Sequence, residues 1–82
     1  MRQYMEHDKS KIERIVCNQC GKDLMVEDGI IKEGVFRGEV RWGFFSKKDG
    51  EIHSFDLCES CYDQMVKRFQ ISAEKEEQTE LI

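Results

Sequence analysis

The placement of cysteine limits what this chain can fold into more than any other feature. All four cysteines fall into two pairs, Cys17-x-x-Cys20 and Cys58-x-x-Cys61, with 37 residues between the pairs. A two-residue gap lets both sulfurs of a pair reach one ion at about 2.3 Å with tetrahedral angles, so two such pairs complete a four-coordinate shell. Such a shell leaves no position for water or substrate, which points to a structural ion instead of a catalytic one. The fold must therefore return the chain to its own first pair after a long excursion.

Length adds to that constraint. A chain of 82 residues buries a smaller fraction of its surface than a large one, and domains of this size are often supported by a metal, a disulfide or a second subunit. Hydrophobic residues make up 39 % and charged residues 37 %, enough for a thin core but not for a walled enzyme cleft. A binding module suits that volume, and neither an enzyme nor a small-molecule substrate is expected. The formal net charge is −4, and a tetrathiolate holding a divalent ion is more negative still, so generic binding to a phosphate backbone is disfavoured. No apolar run approaches the roughly 20 residues of a membrane span, and Met1 to Lys9 lack the apolar segment of a signal peptide. A cytoplasmic location with no membrane partner is the expectation. In a reducing compartment, paired cysteines read as metal ligands or redox centres, not as structural disulfides.

Along the chain, residues 1–11 are polar and charged and read as a flexible, weakly helical arm; residues 12–71 read as the metal-binding domain; residues 72–82 read as an acidic, disordered tail. Leu24-Met25-Val26 and Ile30-Ile31 flank Glu27-Asp28-Gly29, where Asp-Gly supplies the positive φ of a hairpin turn. A second hairpin is signalled by Val40, Trp42 and Phe44 alternating with Arg41 and Gly43, a turn at Lys47-Lys48-Asp49-Gly50, and a return through Ile52 to Leu57. Phe45, Phe55 and Leu57 fall out of phase with Val40, Trp42, Phe44 and Ile52, so the ribbon is expected to be apolar on both faces. A helix is predicted from Glu59 to Gln70, with Tyr62, Met65, Val66 and Phe69 on one stripe. Asp56 and Glu59 have the spacing of a capping box at its start, and Lys67 and Arg68 suit its C-terminal dipole.

The two cysteine pairs sit in unequal settings. The first ends in Cys20-Gly21-Lys22, where glycine lets the backbone turn under the ion and aim amides at sulfur. The second, Leu57-Cys58-Glu59-Ser60-Cys61-Tyr62, lies where strand gives way to helix, so the positive helix end would favour thiolates. A zinc knuckle, then β-hairpins, then a ligand pair at the start of a C-terminal helix resembles the treble-clef class of zinc domains, over residues 15 to 70. More narrowly, the run from Val40 to Tyr62 is similar to that of a group of small uncharacterised bacterial cytosolic zinc-binding proteins of treble-clef or zinc-ribbon type. The resemblance implies a small α+β zinc domain but no activity.

Zn²⁺, one per chain, is the expected ion, held by Cys17, Cys20, Cys58 and Cys61. The competing readings are a rubredoxin-like iron site, in which both pairs would be knuckles followed by glycine whereas Tyr62 follows the second pair here, and a thiol redox switch. His53 on a strand and His7 in the arm are not expected to be ligands. Arg37, Arg41, Trp42, Phe45, Lys47 and Lys48 gather on or beside the aromatic ribbon. They form a candidate partner surface for another protein or a second copy in a homodimer; nucleic acid is the alternative, since the same residue types contact phosphates and stack on bases. Phe36, Phe45 and Phe55 need a cover beyond the helix, and Leu81-Ile82 at the acidic end could dock as a short peptide.

Overall fold

The computed structural model describes residues 1–78; the remainder of the acidic tail, with Leu81 and Ile82, lies outside the described residues. Seven short strands precede one helix. β1 (Arg2–Tyr4), β2 (Ile12–Val16) and β3 (Asp23–Leu24) form an antiparallel three-stranded sheet in that order. β4 (Val26–Glu27) and β5 (Ile30–Ile31) form a small hairpin. β6 (Val35–Arg41) and β7 (Ile52–Cys58) form a longer one, and α1 (Glu59–Lys67) follows β7 without a break. The result is a small α+β fold of antiparallel hairpins with a C-terminal helix.

Several sequence expectations are met for the reasons given. Asp28 and Gly29 have φ of 50° and 78°, the pair of positive values that a tight two-residue hairpin turn demands. Gly50 closes the second hairpin with φ 89°.

Other expectations are corrected. Residues 1–11 are not weakly helical: Arg2 pairs with Ile15 and Tyr4 with Ile12 in the sheet, so this segment belongs to the same unit as residues 12–71. Its polar side chains suit an edge strand, which needs only one buried face. Phe44 does not extend the second hairpin's strand, and Trp42 lies just past β6, where its amide still donates to Glu51 O (3.0 Å) and its carbonyl accepts from Gly50 N (3.3 Å). The amide of Ser46 donates to the carbonyl of Gly43 (2.9 Å), which makes Phe44 and Phe45 the central residues of a turn. The strand instead begins earlier, at Val35. Across the pairing, Val40 opposite His53 and Gly38 opposite Phe55 put Val40 on the same face as Phe55 and Leu57, not on the face of Ile52. Phe36 and Phe55 are also covered, since Phe36 lies 5.2 Å from the Tyr62 ring and 6.0 Å from the Phe55 ring. Finally, α1 stops at Lys67. Arg68 and Phe69 bond back three residues, to Met65 and Val66, and Phe69 is 46 % exposed; without a surface to pack on, a short helix has little to sustain it.

The core is small and half of it is cysteine. Ile15, Leu24 and Leu57 are the buried aliphatic residues, and Cys17, Cys58 and Cys61 are buried with them. Ile12, Val26, Val35, Phe36, Phe55 and Met65 form a half-buried rim. Three aliphatic side chains are a meagre core for a chain of this length, so the cysteine cluster is central to folding.

Candidate metal centre and hairpin tip

Cys17 follows β2 and Cys20 lies in the turn after it. The Gly21 amide donates to the Cys17 carbonyl, and the Cys17 amide to the Lys22 carbonyl, both at 2.9 Å. Gly21 has φ 78° and open space where a side chain would project, so its role is backbone conformation. Cys58 ends β7 and is the N-cap of α1, with Cys61 one turn inside. Strand, knuckle and helix start thus converge on one point.

There the four sulfurs all lie within 4.8 Å of one another, and Cys20 Sγ is 3.9 Å from Cys58 Sγ. Metal–sulfur bonds of about 2.3 Å in a tetrahedron require sulfurs about 3.8 Å apart, so the donor set fits one ion. All four cysteines are free, and Cys20 alone among them is exposed. Their electrostatics differ. Burial opposes ionisation of Cys17, but the amides of Cys20, Cys58 and Gln19 directed at its sulfur prevail and hold the thiol down to about 6. Burial, together with the hydrogen bonds that the Cys61 thiol donates to the neighbouring cysteine sulfurs, pushes Cys61 up to about 12. One sulfur is poised to ionise and another resists, so a cation at the centre is what would let all four act as thiolates.

A second buried group lies beside the cluster. Asp56 is 0 % exposed and shares a face of β7 with Cys58. Arg2 Nε donates to its Oδ1 (2.9 Å), while Arg37 Nη1 (3.0 Å) and the Met1 nitrogen (3.1 Å) donate to its Oδ2. Its backbone is tied to the first knuckle: Asn18 N donates to Asp56 O (2.8 Å), and Asp56 N to Asn18 Oδ1 (2.9 Å). Burial raises its carboxyl, but Arg2 and the Met1 nitrogen outweigh that and leave it below the usual range. The capping-box expectation is corrected accordingly, since Asp56 caps no helix. The sequence did carry a signal for this role. An aspartate two positions before a ligand cysteine on a strand shares its inward face, and a buried carboxylate there must be met by cations.

The chain matches no family model, curated protein or solved structure in the comparisons made. Its functional residues are therefore placed by geometry alone.

The candidate partner residues divide. Arg37 is drawn to Asp56 at the base of the hairpin. Lys48 Nζ sits 4.4 Å over the Trp42 ring, whose edge meets His53 at 5.9 Å; the Trp42 indole nitrogen is buried without a hydrogen-bond partner. Both side chains are half-buried and build the loop. Arg41, Phe45 and Lys47 are free at the surface, with Phe45 99 % exposed. Phe44, which the sequence reading placed in a strand, joins them at 82 % exposed and packs edge-on against Phe45 at 5.2 Å. His53 bonds Glu51 at 2.9 Å and stands apart from the sulfurs. No helix among the described residues is long and apolar enough to cross a membrane.

Proposed function

We propose that the chain is a non-catalytic zinc-stabilised interaction module of treble-clef type, which docks on another protein surface through the tip of the β6–β7 hairpin. The observation that carries this reading is the contrast between a closed four-sulfur cluster and two adjacent, nearly fully exposed phenylalanines. Four sulfurs fill a tetrahedral ion's shell, so the metal organises the backbone instead of activating water. Knuckle first and helix start second is the order that favours a treble clef, and Tyr62 after the second pair favours zinc over a rubredoxin-like iron. Neighbouring exposed aromatics on a braced turn are the kind of anchor that carries binding energy at protein interfaces. A nucleic-acid role is less well supported: Arg37 is engaged by Asp56, Lys48 covers Trp42, and the net charge is −4.

Metal analysis of freshly purified protein tests the first half of this reading. One zinc per chain in a colourless sample is expected, while visible absorbance from iron, or no metal at all, would overturn it. Pull-down from cell extract, comparing the native chain with Phe44→Ser/Phe45→Ser, tests the second. Loss of captured protein at unchanged metal content is expected, and capture that ignores the change would sink the docking role.

A further inference from the structure

One side of the β6–β7 hairpin ends in an unused strand edge. The sheet has two strands, and β7 engages the root half of its outer edge with Asn18, through the amide and carbonyl of Asp56, whereas the whole length of β6 is open. In an antiparallel pair, residues alternate between bonding inward and facing outward. Asp56 faces outward and stands opposite Arg37, so the amide and carbonyl of Arg37 face outward on the other side. Those of Val35, Glu39 and Arg41 do so as well. No turn, loop or cap hydrogen bond reaches them among the described residues. The edge is seven residues long, with no bulge in its register and no proline, which is a ready template for another strand.

The edge is complementary to itself. When two copies of β6 meet antiparallel across a two-fold axis, only outward residues can face one another with their hydrogen bonds made. An axis at Arg37 sets Arg37 against Arg37. An axis at Glu39 sets Glu39 against Glu39 and Arg37 against Arg41. An axis at Val40 opposes Glu39 to Arg41 but pairs only residues 39–41; an axis at Gly38 pairs the whole of β6 and opposes each Arg37 to a Glu39, on one face, and each Phe36 to a Val40, on the other. Opposite charges and apolar pairs in these positions stabilise an antiparallel sheet.

That register also gives the tip a destination. Trp42 of the second copy falls opposite Gly34, on the face that carries Phe36, Tyr62 and the Glu59 carboxylate, while Arg41 falls on the other face, opposite Val35. A groove of about 280 Å³ opens there, lined by Gly34, Val35, Phe36, Glu59 and Tyr62. The chain beyond Arg41 leads to Phe44 and Phe45, so the tip of each copy runs towards the groove of the other. Glu39 has no ion-pair partner among the described residues, and Arg37, opposite it across the axis, engages Asp56 through Nη1 alone. We infer that the surface docks on a second copy of this chain, through antiparallel pairing of β6 edges about Gly38. This deepens the docking role proposed above and rests on it.

Sedimentation equilibrium of the zinc-loaded full chain, from low to high micromolar concentration, tests the pairing, with metal content and melting checked for each variant. A dimer is expected. Glu39→Pro removes an outward amide that makes no bond to β7 and should weaken the dimer at least about tenfold, because proline is tolerated only where the edge stays unpaired. Glu39→Arg and Arg37→Glu each set like charges opposite one another and should weaken it about tenfold. An equimolar mixture of those two variants restores both contacts and should dimerise again. A native chain that stays monomeric, or a dimer indifferent to Glu39→Pro and to the charge reversals, overturns the inference. A monomer that still loses a captured protein on Phe45→Ser would overturn the self-pairing alone and leave the docking role standing.

Discussion

The two ends of the β6–β7 hairpin are made of the same strands and lead opposite lives. At its root, Leu57 and Cys58 are buried, Asp56 is gripped by cations, α1 covers one face and the first sheet meets the other. At its tip, Phe44 and Phe45 stand in water while Trp42, Lys48 and His53 brace the loop from behind. Burial and cross-linking at the root hold the fold, and the tip, freed from that duty, presents apolar surface that folding does not need. The difference implies that stability and the proposed docking can be damaged separately.

The sharpest way to break the root is to remove the zinc proposed for its four cysteines. Structural zinc contributes roughly 10–16 kcal/mol in apparent terms at neutral pH, against a total stability of about 5–15 kcal/mol for a typical domain. Strong chelation should abolish the cooperative thermal transition seen by circular dichroism. Cys17→Ser should do the same, because Cys17 is 1 % exposed and receives amides from both halves of the site. Cys20→Ser, at the exposed corner, should leave a weaker transition that returns with excess zinc.

Next in size is Asp56. Removing one partner of a buried ion pair costs about 3–5 kcal/mol, so Asp56→Ala should lower the denaturation midpoint by that equivalent in the metal-loaded protein. Burial favours the protonated carboxyl, but Arg2 and the Met1 nitrogen pull it the other way, and the folded pKa is depressed. A depressed acid contributes stability that is fully present above its unfolded value, near pH 4, and is lost as pH falls through the folded one. The gap between native protein and Asp56→Asn should therefore be constant above about pH 4 and narrow only in stronger acid. A gap that closed in the neutral range would mean the carboxylate is not held as described.

Gly38 divides root from tip and gives a smaller break. A methyl group there would meet the Phe55 ring at 2.5–3.0 Å; Gly38→Ala must displace the aromatic layer that Phe36, Phe55 and Tyr62 form. Overpacking of this kind costs about 1–3 kcal/mol, measurable by denaturant titration, and Phe55→Leu in the same chain should recover part of it.

These residues also show what could be read in advance. The cysteine spacing, the Asp28-Gly29 turn and the start of the helix follow from local chemistry, and each is legible without tertiary context. Gly38 is not, because it is required by a ring on the facing strand; for Asp56 the inward face could be read from its place two before Cys58, but its partner could not, since Arg2 lies more than 50 positions away. Phe44 and Phe45 misled for a related reason. Phe44 continues the alternation of Val40 and Trp42 and so matches a strand, with Phe45 on its other face, yet the Gly43–Ser46 hydrogen bond turns the chain there, and turn geometry outweighs β propensity when no core waits to receive the rings.

The tip should give the smallest effect on stability and the cleanest separation. Phe45 is almost fully exposed and touches chiefly Phe44, so Phe45→Ser removes no buried surface. Surface changes of this kind stay within about 0.5 kcal/mol, and the melting curve of the metal-loaded variant should superimpose on the native one. Against Cys17→Ser and Asp56→Ala, which act through the root, this substitution should alter association and nothing else. A Phe45→Ser protein that melted several degrees lower would mean that the tip folds back and supports the core, and the division between the hairpin's two ends would have to be redrawn.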